Sequence, residues 1–225
     1  MDNILQPAAQ PTPAHLPALM TTTIGRTREI ATLVDLLCQE ETRLVTLTGP
    51  GGVGKTRLGL EAARELHAAF VDGVFFVSLA PLREQGQVLL AIAQAVGIEE
   101  ISGQALEQRL HAYLREKRCL LLLDNWEHLL PAARLVADLL TRAPHLTILA
   151  TSREMLHLYG EHEIVVPPLT LPELTEPALH GESTAITLFV ERARAAKADF
   201  VMDDEKRRAV SEICVQLDGL PLAIE

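Results

Sequence analysis

Residues 44–56 read LVTLTGPGGVGKT, an apolar run followed directly by a glycine-rich stretch and a Lys-Thr pair. The apolar part, 44–48, predicts a buried strand, and the chain after Thr56 continues with helical periodicity. Residues 49–56 match the Gly-x-x-x-x-Gly-Lys-Thr phosphate loop in the strand-to-helix context that this motif needs. A simple glycine-rich turn is the alternative, which the flanking strand and helix disfavour. The stretch therefore predicts an α/β protein that binds a nucleoside triphosphate.

Each part of this loop suits one part of a bound triphosphate. The glycines let the backbone turn tightly, so that its N–H groups point at phosphate oxygens. Lys55 supplies a mobile positive charge for the β- and γ-phosphates, and Thr56 supplies a hydroxyl for Mg²⁺. The helix that starts near Lys55 adds the positive end of its dipole to the same anion site.

The composition limits the size and the partners of the protein. A chain of 225 residues with 48% hydrophobic residues can bury one α/β core and a small helical appendage. Its net charge of −10 argues against broad binding of nucleic acid or anionic membranes, which need clustered Lys and Arg. We therefore expect no direct nucleic-acid or membrane binding by this segment.

The cysteines and the hydropathy pattern bear on the compartment. Cys38, Cys119 and Cys214 lie in apolar periodic stretches and are odd in number, which predicts buried free thiols rather than a metal site. No apolar run approaches the twenty or so residues that cross a bilayer, and no signal peptide is apparent. We expect a cytoplasmic protein.

Apolar runs and helical periodicities alternate along the middle of the chain. Strands are predicted at 44–48, 74–79, 119–123 and 146–150, with 163–166 as a weaker fifth candidate. Helices are predicted at 26–39, from 55 to about 69, around 88–95, at 106–114 and at 129–140. Strands that alternate with helices indicate a parallel sheet in a three-layer α/β fold.

The remaining segments define the predicted domain boundaries. Residues 1–20 are proline-rich and predict a linker, 21–168 form the nucleotide-binding domain, and 169–225 begin a helical subdomain. This subdomain has two helical patterns, 183–197 and 204–217, with no strand between them. A further helix starts at Pro221 with nothing after it to pack against, so we expect the natural protein to continue beyond Glu225.

The run Leu-Leu-Leu-Leu-Asp at 120–124 carries the first catalytic candidate. Asp124 at the carboxyl end of a central strand would lie beside the phosphate loop and hold Mg²⁺. The alternative is an aspartate that caps the following helix. Asn125 cannot act as a base, so Glu127 is the nearest candidate; its alternative role is a charge that favours a helix N-terminus. His128 is interpreted as structural, and we expect slow catalysis.

The fourth predicted strand ends in Ala-Thr-Ser-Arg at 150–153. The guanidinium of Arg153 could reach the γ-phosphate and donate to two of its oxygens. The alternative is a surface arginine paired with Glu154.

Five motifs in order give the sequence a family resemblance: Ile-Gly-Arg at 24–26, the phosphate loop, 120–124, 150–153 and Gly-Leu-Pro-Leu at 219–222. Over about residues 20–225 the chain resembles the STAND class of signal-transduction ATPases, which includes NB-ARC and NACHT domains. The Asp-Asn-x-Glu-His and Thr-Ser-Arg-Glu variants look like the ATPase module of large bacterial regulators, which are often joined to DNA-binding or cyclase domains and tetratricopeptide repeats.

The resemblance implies a fold, a cofactor set and residue roles. The fold would be a three-layer P-loop NTPase of the ASCE type, in which the sensor strand separates the P-loop strand from the Walker B strand, followed by a partial helical subdomain. The ligands would be ATP or ADP with Mg²⁺. The resemblance implies that Ile24, Gly25 and Arg26 contact adenine and ribose, and that Pro221 contacts adenine. The residues implied to contact the phosphates are Gly51, Gly52, Val53, Gly54, Lys55, Thr56 and Arg57. Thr56 would bind Mg²⁺ directly and Asp124 would bind it through water, while Arg153 would contact the γ-phosphate.

Two positions depart from the family pattern. The family usually has Glu directly after the Gly-Arg pair, where this chain has Thr27, with Glu29 as a nearby substitute. The second Walker acid is replaced by Asn125.

The function that the resemblance implies is an ATP-dependent molecular switch. Its full-length form would self-associate when activated and carry its effector and sensor domains outside this segment. One alternative is a transcription factor in which ATP is only structural. A ring-forming mechanical ATPase or a phosphotransferase is disfavoured by the Gly-Leu-Pro-Leu ending and by the lack of an obvious acceptor site. The Lys-Thr pair excludes a Rossmann dinucleotide enzyme.

Overall fold

A computed structural model describes residues 16–98, 105–172 and 183–225, and these contain one parallel five-stranded sheet. The strands are β1 (Leu44–Thr48), β2 (Val74–Ser78), β3 (Leu120–Asp124), β4 (Thr147–Thr151) and β5 (Glu161–Val165). They lie in the order β2-β3-β4-β1-β5, and every pair is parallel. The three-layer α/β fold with the sensor strand β4 between β1 and β3 is confirmed.

The helices cover both faces of the sheet. They are α1 (Thr27–Leu37), α2 (Lys55–Glu65), α3 (Gly86–Ala95), α4 (Leu106–Leu114) and α5 (Ala133–Arg142), with 3₁₀ turns at Leu66–Ala68 and Leu130–Ala132. Side chains of β3 alternate between two cores, with Leu120 and Leu122 packing with α1 and α2 and Leu121 and Leu123 packing with α3–α5. Burying one such leucine stabilises the fold by about 1.5–3 kcal/mol. The continuous leucine run therefore reflects a strand buried on both faces.

The sheet differs between its centre and its edge. All five residues of β1, β3 and β4 are buried, whereas β5 is an edge strand with no fully buried residue. Because all strands are parallel, their carboxyl ends share one edge of the sheet. That edge brings the phosphate loop, Asp124 and Arg153 together.

A helical unit follows the sheet. It consists of α6 (Thr184–Ala196), α7 (Asp204–Gln216) and α8 (Pro221–Ile224) around a third core cluster that includes Leu188, Val210 and Cys214. The side chains of Ser183 and Asp203 accept hydrogen bonds from backbone N–H groups at the starts of α6 and α7. Each such cap contributes about 1 kcal/mol. The two predicted helices without an intervening strand are confirmed.

The structure corrects several details of the sequence analysis. The Cys38 side chain is exposed because it follows the end of α1, while Cys119 and Cys214 are buried and free as expected. The fifth strand begins at Glu161 rather than at 163. Leu16 and Leu19 of the predicted linker pack against the α1–α2 core cluster. Residues 1–15 of that linker lie outside the described part of the chain, so the boundary at residue 20 stays a prediction.

Over the ranges that the structure describes, no helix combines the length and apolar character needed to cross a membrane.

Candidate functional site

The phosphate loop connects β1 to α2 and turns back on itself. Lys55 begins α2, and its Nζ donates to the carbonyl oxygens of Gly49 at 2.7 Å and Pro50 at 2.9 Å. Gly54 precedes the helix with φ +97°, and no side chain caps that N-terminus. Backbone N–H groups at an uncapped helix start are suited to bind an anion. The loop therefore has the geometry of a phosphate cradle.

Gly52 is the point where the helical unit contacts this loop. Its φ of +79° favours glycine, and a Cβ there would lie 3.0 Å from the Cβ of Leu222. The backbone N–H of Leu222 donates to the Gly52 carbonyl at 3.2 Å. A side chain at residue 52 would therefore displace α8.

Asp124 lies at the carboxyl end of β3, bonded to two hydroxyls. Its Oδ1 accepts from Thr56 Oγ1 at 2.6 Å and from Thr151 Oγ1 at 2.7 Å. Thr151 in turn accepts the backbone N–H of Asn125 at 2.9 Å, which directs its own proton toward Asp124. No helix is capped by Asp124, since α5 begins at Ala133, so the capping alternative is wrong. The role of Thr151 had no signal in the sequence.

Glu127 and Arg153 form an ion pair across the carboxyl edge. Arg153 Nε lies 3.4 Å from Glu127 Oε1, and the Arg153 side chain is 68% exposed. A Cβ on Gly51 would lie 3.8 Å from the second terminal nitrogen of Arg153, so the guanidinium also borders the phosphate loop. The expected alternative partner, Glu154, makes no ion pair with Arg153 among the described residues. Glu127 is not in the first turn of α5, so its helix-charge alternative is wrong.

The second carboxylate oxygen of Glu127, Oε2, is buried and has no hydrogen-bond partner among the described residues. A buried carboxylate oxygen without a donor is costly. A bound water or ligand hydroxyl would satisfy it. His128 is held away from this oxygen, since its Nε2 lies 3.0 Å from the Leu82 carbonyl and its Nδ1 lies 3.3 Å from the Asn125 side-chain amide.

The charged groups act on one another. Burial lowers the pKa of Lys55 from its ordinary value; the carboxylates of Glu127 and Asp124 oppose this, and the Arg153 guanidinium adds to it. The pKa of Lys55 is therefore influenced by all three of the other charged candidates, Glu127, Arg153 and Asp124. Two cations and two carboxylates form one electrostatic unit beside the loop.

A small cavity of about 40 Å³ lies on the other side of the loop. Six of its lining residues are predicted site residues: Ile24, Arg26, Val53, Gly54, Arg57 and Pro221. Seven others were not predicted: Thr22, Thr23 and Leu58, which adjoin predicted residues in the sequence, and four from later in the chain, Leu169, Leu188, Arg192 and Glu225. These four come from the segment before α6, from α6 itself and from the end of α8, and no local pattern indicated that they meet here.

The Ile-Gly-Arg segment is held by close packing and by hydrogen bonds. Gly25 has φ +66°, and a Cβ there would lie 2.4 Å from a Thr184 side-chain carbon. Arg26 is buried and donates to the Val53 carbonyl at 3.1 Å and to the Pro167 carbonyl at 2.7 Å. Its other terminal nitrogen pairs with Glu29 at 3.2 Å. Arg26 thus connects the phosphate loop, at Val53, to the segment that follows β5, at Pro167.

Two further arginines border the cavity. Arg57 donates from Nε to Thr23 Oγ1 at 2.8 Å and also bonds Thr21, so it holds the segment before Ile24. Arg192 of α6 donates to Glu225 Oε1 at 3.0 and 2.7 Å. These contacts close the cavity from the helical side.

The donor set fits Mg²⁺ and a nucleotide. Thr56 and Asp124 present a hydroxyl and a carboxylate 2.6 Å apart, which are oxygen donors of the kind that Mg²⁺ prefers. No described side chain caps the start of α2, so its first backbone N–H groups are available to phosphate oxygens. The residues present therefore suit both groups.

A family model described as the NB-ARC domain matches residues 26–158, which is more than half of the chain. The chain belongs to the NB-ARC family. This NB-ARC chain is 43% identical over 188 residues to a protein of Mycobacterium tuberculosis named as a candidate HTH-type transcriptional regulator, over 82% of this chain and 20% of that protein. It is 33% identical over 229 residues to regulatory protein AfsR of Streptomyces coelicolor, over 94% of this chain and 21% of that protein.

A third relative is an uncharacterized protein of Mycobacterium tuberculosis, 39% identical over 207 residues and matched over 92% of this chain and 50% of its own length. The NB-ARC chain thus spans between about a fifth and a half of the length of these curated relatives.

Two solved structures share the fold. One is a STAND protein with a tetratricopeptide repeat sensor from Pyrococcus horikoshii, with TM-score 0.55, 15% identity and coverage of 93% of this chain and 30% of that chain. The other is the ORC2 protein of Aeropyrum pernix in ADPNP and ADP complexes, with TM-score 0.59, 16% identity and coverage of 93% and 61%. At these identities, the two structures support the fold of this NB-ARC chain.

Proposed function

We propose that this chain is the ATP- and ADP-binding core of a regulatory switch, with slow Mg²⁺-dependent ATP hydrolysis that controls conformation and, in the full-length protein, self-association. The observation that carries the proposal is that the phosphate loop and the helix start that follows it contact both Asp124 of the sheet and the helical unit. Thr56 bonds Asp124 on one side, and Gly52 bonds Leu222 on the other. A ligand in the loop therefore touches the two parts that a switch must couple.

The phosphates would be held by groups now bonded within the protein. Lys55 would exchange the carbonyls of Gly49 and Pro50 for β- and γ-phosphate oxygens, and the N–H groups of residues 51–56 would donate to the phosphates. Thr56 and Asp124 would hold Mg²⁺. When bound, Mg²⁺ neutralises the charge that develops on the phosphate oxygens.

Arg153 would recognise the γ-phosphate, and Glu127 would take part in its hydrolysis. The γ-phosphate competes with Glu127 for the Arg153 guanidinium, because both are anions within its reach. Once released, the Glu127 carboxylate can accept a proton from the attacking water. We expect slow turnover because Asn125 occupies the position of the usual acid and Arg153 engages Glu127 in the state described here.

The nucleoside would enter the cavity beside Ile24, Arg26 and Pro221. At about 40 Å³ the cavity is far smaller than the 300–1,000 Å³ or so typical of small-molecule sites. The helical unit, which closes it through Arg192 and Glu225, must therefore move outward to admit adenosine. Differential contact with ATP and ADP would then set its position.

Substitution of the two glutamates that flank this site tests the hydrolysis part of the proposal. Glu127→Gln should reduce phosphate release about a hundredfold while nucleotide affinity in a calorimetric titration stays close to that of the parent. Glu154→Gln, next to Arg153 but outside the ion pair, is the matched control and should change neither. Equal phosphate release by the two variants would remove Glu127 from the mechanism.

The resting nucleotide is part of the same proposal. We expect tightly held ADP, which chromatography of the nucleotide released from denatured protein would identify. Recovery of guanine nucleotide would contradict the adenine assignment, and recovery of none would contradict the tight retention of ADP.

A second candidate is supported by the names of the relatives. The chain could form part of an ATP-binding transcriptional regulator whose DNA-binding domain lies outside this segment. Its net charge of −10 predicts no gel shift of DNA by this segment at physiological salt. A shift would instead favour direct DNA binding here.

A further inference from the structure

A second, larger groove lies at the carboxyl edge of the sheet, and none of its described lining residues belongs to the phosphate loop. Its volume is about 680 Å³, and it is lined by residues from 85–89, 130–135 and 156–158. The first segment begins α3, the second leads into α5, and the third follows Arg153. We call it the α3–α5 groove.

Five of the twelve described lining residues of the α3–α5 groove are leucines. Leu89, Leu130, Leu135 and Leu158 pack on the core with one side and are only partly buried. Half-buried leucines that face one groove expose apolar surface that a partner's side chains could cover. The volume lies within the range of sites that bind ligands or peptide side chains.

The one formally charged residue in the described lining of the groove is Arg134, whereas the chain as a whole carries a net charge of −10. Arg134 and His157 line it and are exposed, and its described lining contains no Asp or Glu. Neither residue has an ion-pair partner within the described ranges. In a chain with 30 acidic and 20 basic residues, a groove with basic but no acidic lining favours an acidic occupant.

The His157 side of the groove is held in an unusual backbone conformation. His157 has φ +57°, which is uncommon for a residue with a side chain. Glu161 stabilises it by accepting the backbone N–H groups of Leu156 at 2.8 Å and Leu158 at 3.1 Å. Such strain persists where the surrounding structure enforces it, and it often marks a binding surface.

We propose that the α3–α5 groove docks an amphipathic acidic helix of a partner protein. Leucine-type side chains of that helix would pack between Leu89, Leu130 and Leu135, and its carboxylates would pair with Arg134 and His157. The 130–135 segment of the groove begins three residues after Glu127, and the 156–158 segment begins three residues after Arg153. The partner would therefore lie next to the candidate nucleotide site. The docking proposal does not depend on nucleotide hydrolysis.

A subtractive display selection tests this proposal with a defined probe. The probe is a library of helical 16-residue peptides with Leu fixed at helical spacing and Glu, Gln or Lys at the exposed positions. Peptides that bind the parent protein are selected, and those that also bind the Arg134→Glu variant are then removed. We expect the surviving peptides to be enriched in Glu. Arg208→Glu, an exposed arginine on α7, is the charge-matched control and should not deplete them.

Charge swapping then checks the orientation of the interaction. By fluorescence anisotropy, Arg134→Glu should weaken a selected acidic peptide about tenfold, and replacement of its Glu residues by Lys should restore binding to that variant. Far-UV dichroism confirms that each variant is folded. A surviving pool without Glu enrichment, no discriminating peptide at all, or equal binding to parent and Arg134→Glu would overturn the proposal. Competition by duplex DNA, or groove-dependent dimerisation in sedimentation, would assign the groove to another occupant.

Discussion

The two ends of the candidate nucleotide site are built in different ways. At the phosphate end, Lys55 projects from the start of α2, and Asp124 and Thr151 project from the neighbouring buried strands β3 and β4. Their bonds join buried or partly buried groups. At the nucleoside end, three distant segments meet: residues 21–26, α6 and α8. Their ties include exposed contacts such as Thr22 to Glu191 and Arg192 to Glu225.

This difference indicates which part is fixed and which part can move. Bonds between buried groups are costly to break because a polar atom is left without a partner. Exposed ion pairs are worth only about 0–1 kcal/mol each, so a nucleotide can readily replace them. We therefore expect the phosphate end to bind the nucleotide and the nucleoside end to move when the nucleotide binds.

The largest effect should come from removing the lysine of the phosphate end. Lys55→Ala should weaken ATP and ADP binding by at least about a hundredfold, because charge-assisted hydrogen bonds to phosphate are lost. Lys117→Ala is the control, since that lysine pairs with Asp72 and takes no part in the candidate site. Isothermal titration measures both. Parent-like affinity of Lys55→Ala would locate the nucleotide elsewhere.

The next effect tests how the acid is held in place. Thr151→Val keeps the shape of the side chain but removes the hydroxyl that joins Asp124 to the Asn125 backbone. We expect about tenfold slower phosphate release together with a higher Mg²⁺ concentration for half-maximal rate. Thr151→Ser should retain parent behaviour. If both variants respond equally to Mg²⁺, Thr151 does not position Asp124.

The contrast between the two ends also explains what the sequence could predict. The predictions of the first four strands agree with the structure within one residue, because continuous apolar runs such as 119–123 have few alternatives. The phosphate-end residues follow those strands directly, so their meeting at one edge was predictable. The pairing of Arg153 with Glu127 rather than Glu154 was not, because it depends on side-chain direction.

The nucleoside end was only partly predictable for the same reason. Ile24, Arg26 and Pro221 came from the family resemblance, and all three line the cavity, while their contacts with the nucleoside stay a prediction. Arg192 and Glu225 carry no motif and reach it only through the packing of α6 against α8. Helix-to-helix packing in a small unit leaves no periodic signal that names its ligand-facing residues.

A smaller effect is expected when the nucleoside end is loosened. Arg192→Ala removes the tie between α6 and α8 and should accelerate release of a fluorescent ADP analogue about two- to fivefold. Arg194→Ala, two residues further along α6 and exposed, should leave the release rate unchanged. Stopped-flow displacement measures the rates. Identical rates for parent and Arg192→Ala would mean that this tie does not control exit.

The smallest expected effect concerns the reactivity of the cysteine thiols, which should also differ between the sheet and the helical unit. Burial raises the pKa of Cys119 to about 12 and raises that of Cys214 above its ordinary value, so both stay protonated near about pH 8 and react slowly. Exposed Cys38 should react at once with a disulfide reagent. We expect nucleotide to alter the slow reaction of Cys214 in α7 and not that of Cys119 in the sheet. Equal changes at both would indicate global unfolding.

The most direct test of the switch is a distance between the sheet and the helical unit. Nitroxide labels on Cys38 and on an Arg208→Cys substitution report this distance by pulsed electron spin resonance, with saturating Mg²⁺ and either ADP or a non-hydrolysable ATP analogue. The account predicts two different distance distributions, and loss of the difference in Arg153→Ala. Identical distributions with both nucleotides bound to the unaltered site would contradict it.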